Sequence, residues 1–161
     1  MPDESDPATK DILEFRELLR GGGLGPYAYV ILLGLKTFDP VKLLKVVEQG
    51  LAFSALERFQ RNLALSTAQI IALVQIPQRT LTRRRQQGRL APDESDRLLR
   101  ATRLFAKALD LFEGDTAAAR RWLLSPQSAL GGHVPLEIAK AEVGAREVET
   151  LIDRLEHGVY S

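Results

Sequence analysis

Arg79, Thr82, Arg83 and Gln86 recur at i, i+3, i+4 and i+7, the spacing that puts four side chains on one face of a helix. Their types match the edges of base pairs. Arginine takes both acceptors of guanine, glutamine pairs with adenine, and the threonine methyl meets that of thymine. Arg84, Arg85 and Arg89 flank the stripe and suit phosphate oxygens, which fix position without reading sequence. The seven residues are therefore predicted to contact DNA. The competing reading of an arginine run is a solvated helix face paired with nearby acids, here Asp93, Glu94 and Asp96.

The elements around the stripe favour DNA. Ser66 suits an N-cap before Ile70, Ile71, Leu73 and Val74, and the turn Gln75-Ile76-Pro77 leads into a second helix closed by Gly88. An apolar residue in the turn and one in the second helix, Ile76 and Leu81, lock two short helices at a steep angle. Residues 66–88 thus read as a helix-turn-helix with Leu81 inward and the basic stripe outward.

Charge distribution adds to this. From position 77 to 103, eight arginines stand against three acids, a local charge of +5, while positions 137–157 hold six acids against three bases, a local charge of −3. The asymmetry suggests two surfaces with different partners.

Other chemistries are excluded or find no pattern. Without cysteine there is no disulfide, thiolate nucleophile or cysteine-ligated zinc. His133 and His157 have no partners at ligand spacing, and Ser66, Ser125 and Ser128 lack a nucleophile elbow. No catalytic residue, metal site or cofactor is expected. Gly21, Gly22 and Gly23 read as a hinge, because no Gly-Lys-Ser/Thr follows to cradle a phosphate. The longest apolar stretch, positions 26–35, is half of the roughly 20 residues that span a bilayer, and the acidic N-terminus is unlike a secretory signal. No membrane association is expected, and the cytoplasm is the default location.

The remaining chain reads as helical. Residues 1–8 are expected to be a mobile tail and residues 11–20 a short amphipathic helix. Positions 27–35 fit either a short strand or a buried helical segment. Asp39-Pro40 opens a helix to Gln49, and Ser54 is expected to cap the next. Pro92 opens a long helix to Phe112 with Leu98, Leu99, Thr102, Phe105, Ala106, Leu109 and Phe112 as its buried stripe, and Trp122 joins Phe105 and Phe112 in the core. Asp115 caps a further helix, Pro135 opens a short one, Gly144 reads as a turn, and residues 145–157 form the last helix. The division expected is 1–23, a tail and short helix; 24–90, the helix-turn-helix region; and 91–161, a C-terminal helical domain. Beyond Gly158, the partly apolar end fits either a frayed tail or a plug for a partner's cleft.

In chain order, Leu33-Gly34-Leu35-Lys36, Gly50-Leu51 before Ser54-Ala55-Leu56-Glu57-Arg58, and Ile76-Pro77-Gln78-Arg79-Thr80-Leu81 form a recognisable series. It continues through Arg89-Leu90-Ala91-Pro92, Arg121-Trp122-Leu123, Leu130-Gly131-Gly132 with Pro135-Leu136, and Gly144-Ala145-Arg146-Glu147-Val148, and closes with Arg154-Leu155-Glu156-His157-Gly158-Val159-Tyr160. Together these resemble antitoxins of the RES-Xre type, the Xre/MbcA/ParS group, from about position 34 onward. The resemblance implies an all-α fold, an Xre-like helix-turn-helix followed by a toxin-binding domain, in a homodimer. It also implies a RES-domain toxin as partner, whose NAD pocket the C-terminal end approaches, and operator DNA as the second partner. Toxin contacts would come from Arg146, Glu149, Arg154, Gly158, Val159, Tyr160 and Ser161. The alternative is a stand-alone transcriptional regulator whose C-terminal half only dimerises. Three positions depart from the family pattern: Ile71 replaces a small alanine, Gln75 a turn glycine, and Ala91 the serine or threonine usual before this proline.

Overall fold

The computed structural model describes residues 5–21 and 25–158. Every regular element among them is helical: α1 (Pro7–Gly21), a 3-10 helix (Gly25–Leu33), α2 (Pro40–Gln49), α3 (Phe53–Leu63), α4 (Thr67–Val74), α5 (Gln78–Gln87) and α6 (Pro92–Leu111), then α7 (Thr116–Leu123), a 3-10 turn (Ser128–Leu130), α8 (Pro135–Ile138) and α9 (Glu142–Glu156). No helix of the described residues is long and apolar enough to cross a membrane. The first four residues, Gly22 and Gly23 of the expected hinge, and Val159, Tyr160 and Ser161 lie outside the described residues.

α6 organises the fold. At 1.5 Å per residue its 20 residues make a rod about 30 Å long, and Leu98, Leu104, Phe105, Ala108 and Leu109 along it are fully buried. α2, α4, α7, α9 and the 3-10 helix pack around it, so both halves of the chain share one core. Phe105 meets Phe59 of α3 edge-on, with centroids 6.4 Å apart at 89°, the arrangement that the ring quadrupoles favour. Trp122 and Phe112 pack against this core half-buried.

The ambiguous apolar run at 27–35 is a 3-10 helix through Leu33, with Ala28 to Leu33 all buried. A segment buried on every side carries no amphipathic period, which is why the pattern left strand and helix open. α3 holds its end and α1 together: the Asn62 amide donates to Leu32 O and to buried Asp11, which also accepts from Arg58 and Arg61.

Four boundaries differ from expectation. α1 begins at Pro7, within the expected tail, because Asp6 accepts from the Ala8 N–H and its carbonyl from Lys10, as an N-cap before proline does. Ser54 does not cap α3. The helix starts at Phe53, whose N–H is already taken by Gly88 O while Ala52 pairs with Arg89, so a tertiary bridge does the cap's work. α6 ends at Leu111, leaving Phe112 as its C-cap. Gly144 is not a turn but lies inside α9. A Cβ there would stand 1.8 Å from Ile138 O, so glycine is what lets α8 press its C-terminus against α9.

Arginines finish several helices. Arg89 donates to Gly50 O, Arg97 to Val74 O and Arg120 to Leu63 O, satisfying end carbonyls that have no intrahelical donor.

Candidate nucleic-acid interface and C-terminal surface

α4 and α5 form the expected helix-turn-helix. Ser66 and Gln69 make a reciprocal capping box, with Gln69 N to Ser66 Oγ at 3.1 Å and Ser66 N to Gln69 Oε1 at 2.9 Å. Ile76 and Leu81 are buried at 1% and 2% exposure, locking the turn as their spacing predicts. Gln75 adopts a left-handed conformation at φ +56°, which costs a non-glycine residue about 1 kcal/mol or more. Ile71 packs half-buried at the edge of the core.

The structure divides the seven residues of the basic stripe. Arg79, Thr82, Arg83 and Gln86 are exposed. The Thr82 hydroxyl bonds back to Gln78 O at 3.1 Å, leaving its methyl outward. Arg85 is exposed, with its guanidinium carbon 5.3 Å from the Phe53 ring centroid, a cation-π geometry. Arg89 is exposed but holds the end of α2. Arg84, placed beside phosphates by the sequence argument, turns inward: Nε lies 2.8 Å from Glu94 Oε1 and Nη2 3.2 Å from Oε2, with side chains 19% and 7% exposed. The bonds to Glu94, more than the neighbouring charge, raise the Arg84 pKa. Glu94 also accepts from Ala91 N at 2.7 Å. One carboxylate therefore tethers the recognition helix to the start of α6 and supplies part of the cap that Ala91 cannot. Sequence reasoning had paired this acid with the run only in its competing reading.

About half of the side chains behind the local charges of +5 and −3 are paired inside the molecule. Arg100 bonds Asp96 and Glu142, Arg103 bonds Glu149 and Glu142, and Lys107 bonds Asp153. This ladder zips α6 to α9. Burial works against the charge on Arg103, but Glu149 and Glu142 outweigh it and raise its pKa. Burial would likewise raise the Glu142 pKa, and the hydrogen bonds from Arg100 and Arg103 reverse the sign and lower it. The spacing of Arg100, Arg103 and Lys107 at i, i+3 and i+7 was the available sign of the ladder, hidden because Arg100 and Arg103 were counted with the basic middle.

At the other end, Arg146 is 77% exposed and meets Glu142 at 3.4 Å. Arg154 is exposed with no ion-pair partner among the described residues. Glu149, expected on the partner surface, is held by Arg103. Gly158 is exposed at φ +69°. The expected contacts Val159, Tyr160 and Ser161 lie outside the described residues.

Residues 42–103 match the antitoxin Xre-like helix-turn-helix domain, and residues 107–158 match the antitoxin Xre/MbcA/ParS C-terminal toxin-binding domain. The chain is 37% identical over 156 residues to Antitoxin Xre of Yersinia enterocolitica serotype O:8 / biotype 1B, covering 96% of this chain and 95% of that protein. It is 32% identical over 117 residues to Antitoxin Xre of Photorhabdus laumondii, covering 72% and 79%. It is also 24% identical over 151 residues to the Prs ADP-ribosylating antitoxin of Sphingobium sp., covering 88% and 93%.

Proposed function

Because this chain belongs to the Xre/MbcA/ParS antitoxin family, we propose that it neutralises a RES-domain toxin that consumes NAD or transfers ADP-ribose, and that as a homodimer it represses its own operon. Residues 158–161 enter the toxin's NAD pocket, with Arg146 and Arg154 engaging the rim and Glu149 keeping α9 in place. Bound to DNA, Arg79, Thr82, Arg83 and Gln86 face the major groove, while Arg85 and Arg89 meet phosphates. Two symmetric recognition helices would read half-sites about 34 Å apart.

The observation that carries this reading is the union, around one core, of a helix-turn-helix whose free cations are concentrated on α5 with a matched toxin-binding domain. The name of the Sphingobium relative supports a partner that uses ADP-ribose chemistry.

The test is co-expression with a RES-domain toxin, taken from beside this gene if one is encoded there. The two should copurify. Deleting residues 158–161 should abolish protection of cells expressing the toxin and leave binding to promoter DNA intact. Full protection by the truncated chain would overturn the plug. Promoter affinity insensitive to salt would overturn the DNA contacts, because each neutralised phosphate contributes about −0.9 to the slope of log affinity against log salt.

A further inference from the structure

α1 and the 3-10 helix precede both matched ranges, yet together with α6 and α9 they enclose an open groove of about 440 Å³. Its walls are apolar, from Phe15 and Leu19 on α1, Ala28 and Tyr29 on the 3-10 helix, and Ala106 on α6. Leu19 remains 41% exposed, so it has apolar surface still to bury. The rim is formed by Lys107 and Asp110 on α6 with Glu149 and Glu156 on α9.

The rim charges do not balance. Lys107 is engaged by Asp153 at 3.1 Å, and Arg103 by Glu149 and Glu142. Asp110 and Glu156 have no ion-pair partner among the described residues. Burial and the neighbouring Asp110 carboxyl push the Glu156 pKa up, and Lys107, held by Asp153, offsets this only in part, as expected where two carboxyls share a site. An incoming positive charge would relieve this repulsion, and an apolar side chain beside it would fill the cleft.

Continuity identifies the occupant. Lys107, Asp110, Glu149 and Glu156 all belong to the matched toxin-binding range, and Glu156 stands two residues before Gly158. We propose that the groove extends the toxin interface and receives a toxin segment that presents an apolar side chain next to a lysine or arginine. α1 and the 3-10 helix then form one wall of the binding site. This rests on the toxin-neutralising reading above, and the experiment separates the two.

The full chain is tested by biolayer interferometry against the same RES-domain toxin as in the co-expression test. Leu19→Glu and Glu156→Lys should each weaken binding by about tenfold or more, the loss expected when an interface anchor is spoiled. Leu13→Glu is the matched control, because Leu13 is 43% exposed on the same helix but outside the groove. It should bind as the unaltered chain does. Promoter affinity and the mass of the free antitoxin should not change. Should Leu19→Glu impair folding, Glu156→Lys on the exposed rim decides alone. Wild-type toxin affinity in both groove variants overturns the proposal, as does a change in free-chain mass with toxin affinity retained, which would make the groove an interface between copies. Loss of protection on deleting residues 158–161, combined with unaltered binding by the groove variants, leaves the neutralisation reading standing and removes the groove. Failure of the unaltered chain to capture the RES-domain protein removes both.

Discussion

Arg84→Met keeps most of the aliphatic stem and removes the cation that Glu94 holds. Unit charges about 4 Å apart attract by about 4 kcal/mol at an effective dielectric near 20, and desolvation of both groups offsets much of that. The single change is harsher than the net value of the pair, because it strands a carboxylate whose side chain is 7% exposed, with Ala91 N its remaining hydrogen-bond donor. The cost should be about 3 kcal/mol, the lower end for breaking a buried pair, since Arg84 itself is partly exposed. Glu94→Gln is milder, about 1 to 1.5 kcal/mol: the amide oxygen can still accept from Ala91, and Arg84 can reach water. The double variant should recover at least about 1 kcal/mol relative to the sum. Urea unfolding midpoints at constant m-value measure all three. Fluorescence anisotropy on a promoter duplex across a salt series supplies the second arm. Arg85→Met should flatten the salt slope by about 0.9, and Arg84→Met should leave it unchanged. If Arg84→Met flattens the slope by about 0.9 and costs less than about 0.5 kcal/mol, Arg84 serves phosphate and the tether is wrong.

Gly144→Ala should destabilise the protein by about 3 kcal/mol in urea unfolding, because the new methyl would collide with the backbone oxygen of Ile138. Gln75→Gly should raise stability by up to about 1 kcal/mol in the same assay: relief of the positive φ exceeds the greater entropy of the unfolded chain. Glu156→Gln should stabilise at neutral pH, with the benefit fading as pH falls through the raised folded-state pKa and gone once pH is below the ordinary glutamate value. The folded-state pKa of Glu156 is raised, so its ionised form opposes folding above that pKa and its protonated form does not. Thermal melts from pH 3.5 to 7 check this. A benefit constant with pH would exclude a titration origin.

Helix existence was legible wherever local chemistry decides it. Asp39-Pro40, Ser66 with Gln69, and Asp115 cap as their types require, and Gly88 closes α5. Asp6-Pro7 used the same signal as Asp39-Pro40 and was obscured by neighbouring acids that suggested a tail. Ser54 and Gly144 misled for another reason. Their roles depend on residues far along the chain or across a packing contact: Phe53 starts α3 because Gly88, 35 positions later, accepts its N–H, and Gly144 is required by the backbone of another helix. Propensity at a single position carries neither fact.

The charge pattern failed in the same way and corrected the functional argument. Summing a segment treats each side chain as available to a partner, and the local +5 and −3 then look like two binding surfaces. Helix periodicity instead sends alternate parts of each run inward, where Arg100, Arg103 and Lys107 neutralise Glu142, Glu149 and Asp153, and Glu94 removes Arg84. The remaining cations on α5 are Arg79, Arg83 and Arg85. Two cations on one exposed helical face, Arg79 and Arg83, with Arg85 at its flank, give a stronger case for groove entry than eight spread along 27 positions, because Thr82 and Gln86 share that face and can read bases while the charge holds register. The same subtraction acts on the C-terminal domain. With Glu142, Glu149 and Asp153 spent on α6, its unmatched negative charge includes Asp110 and Glu156, and these border a groove.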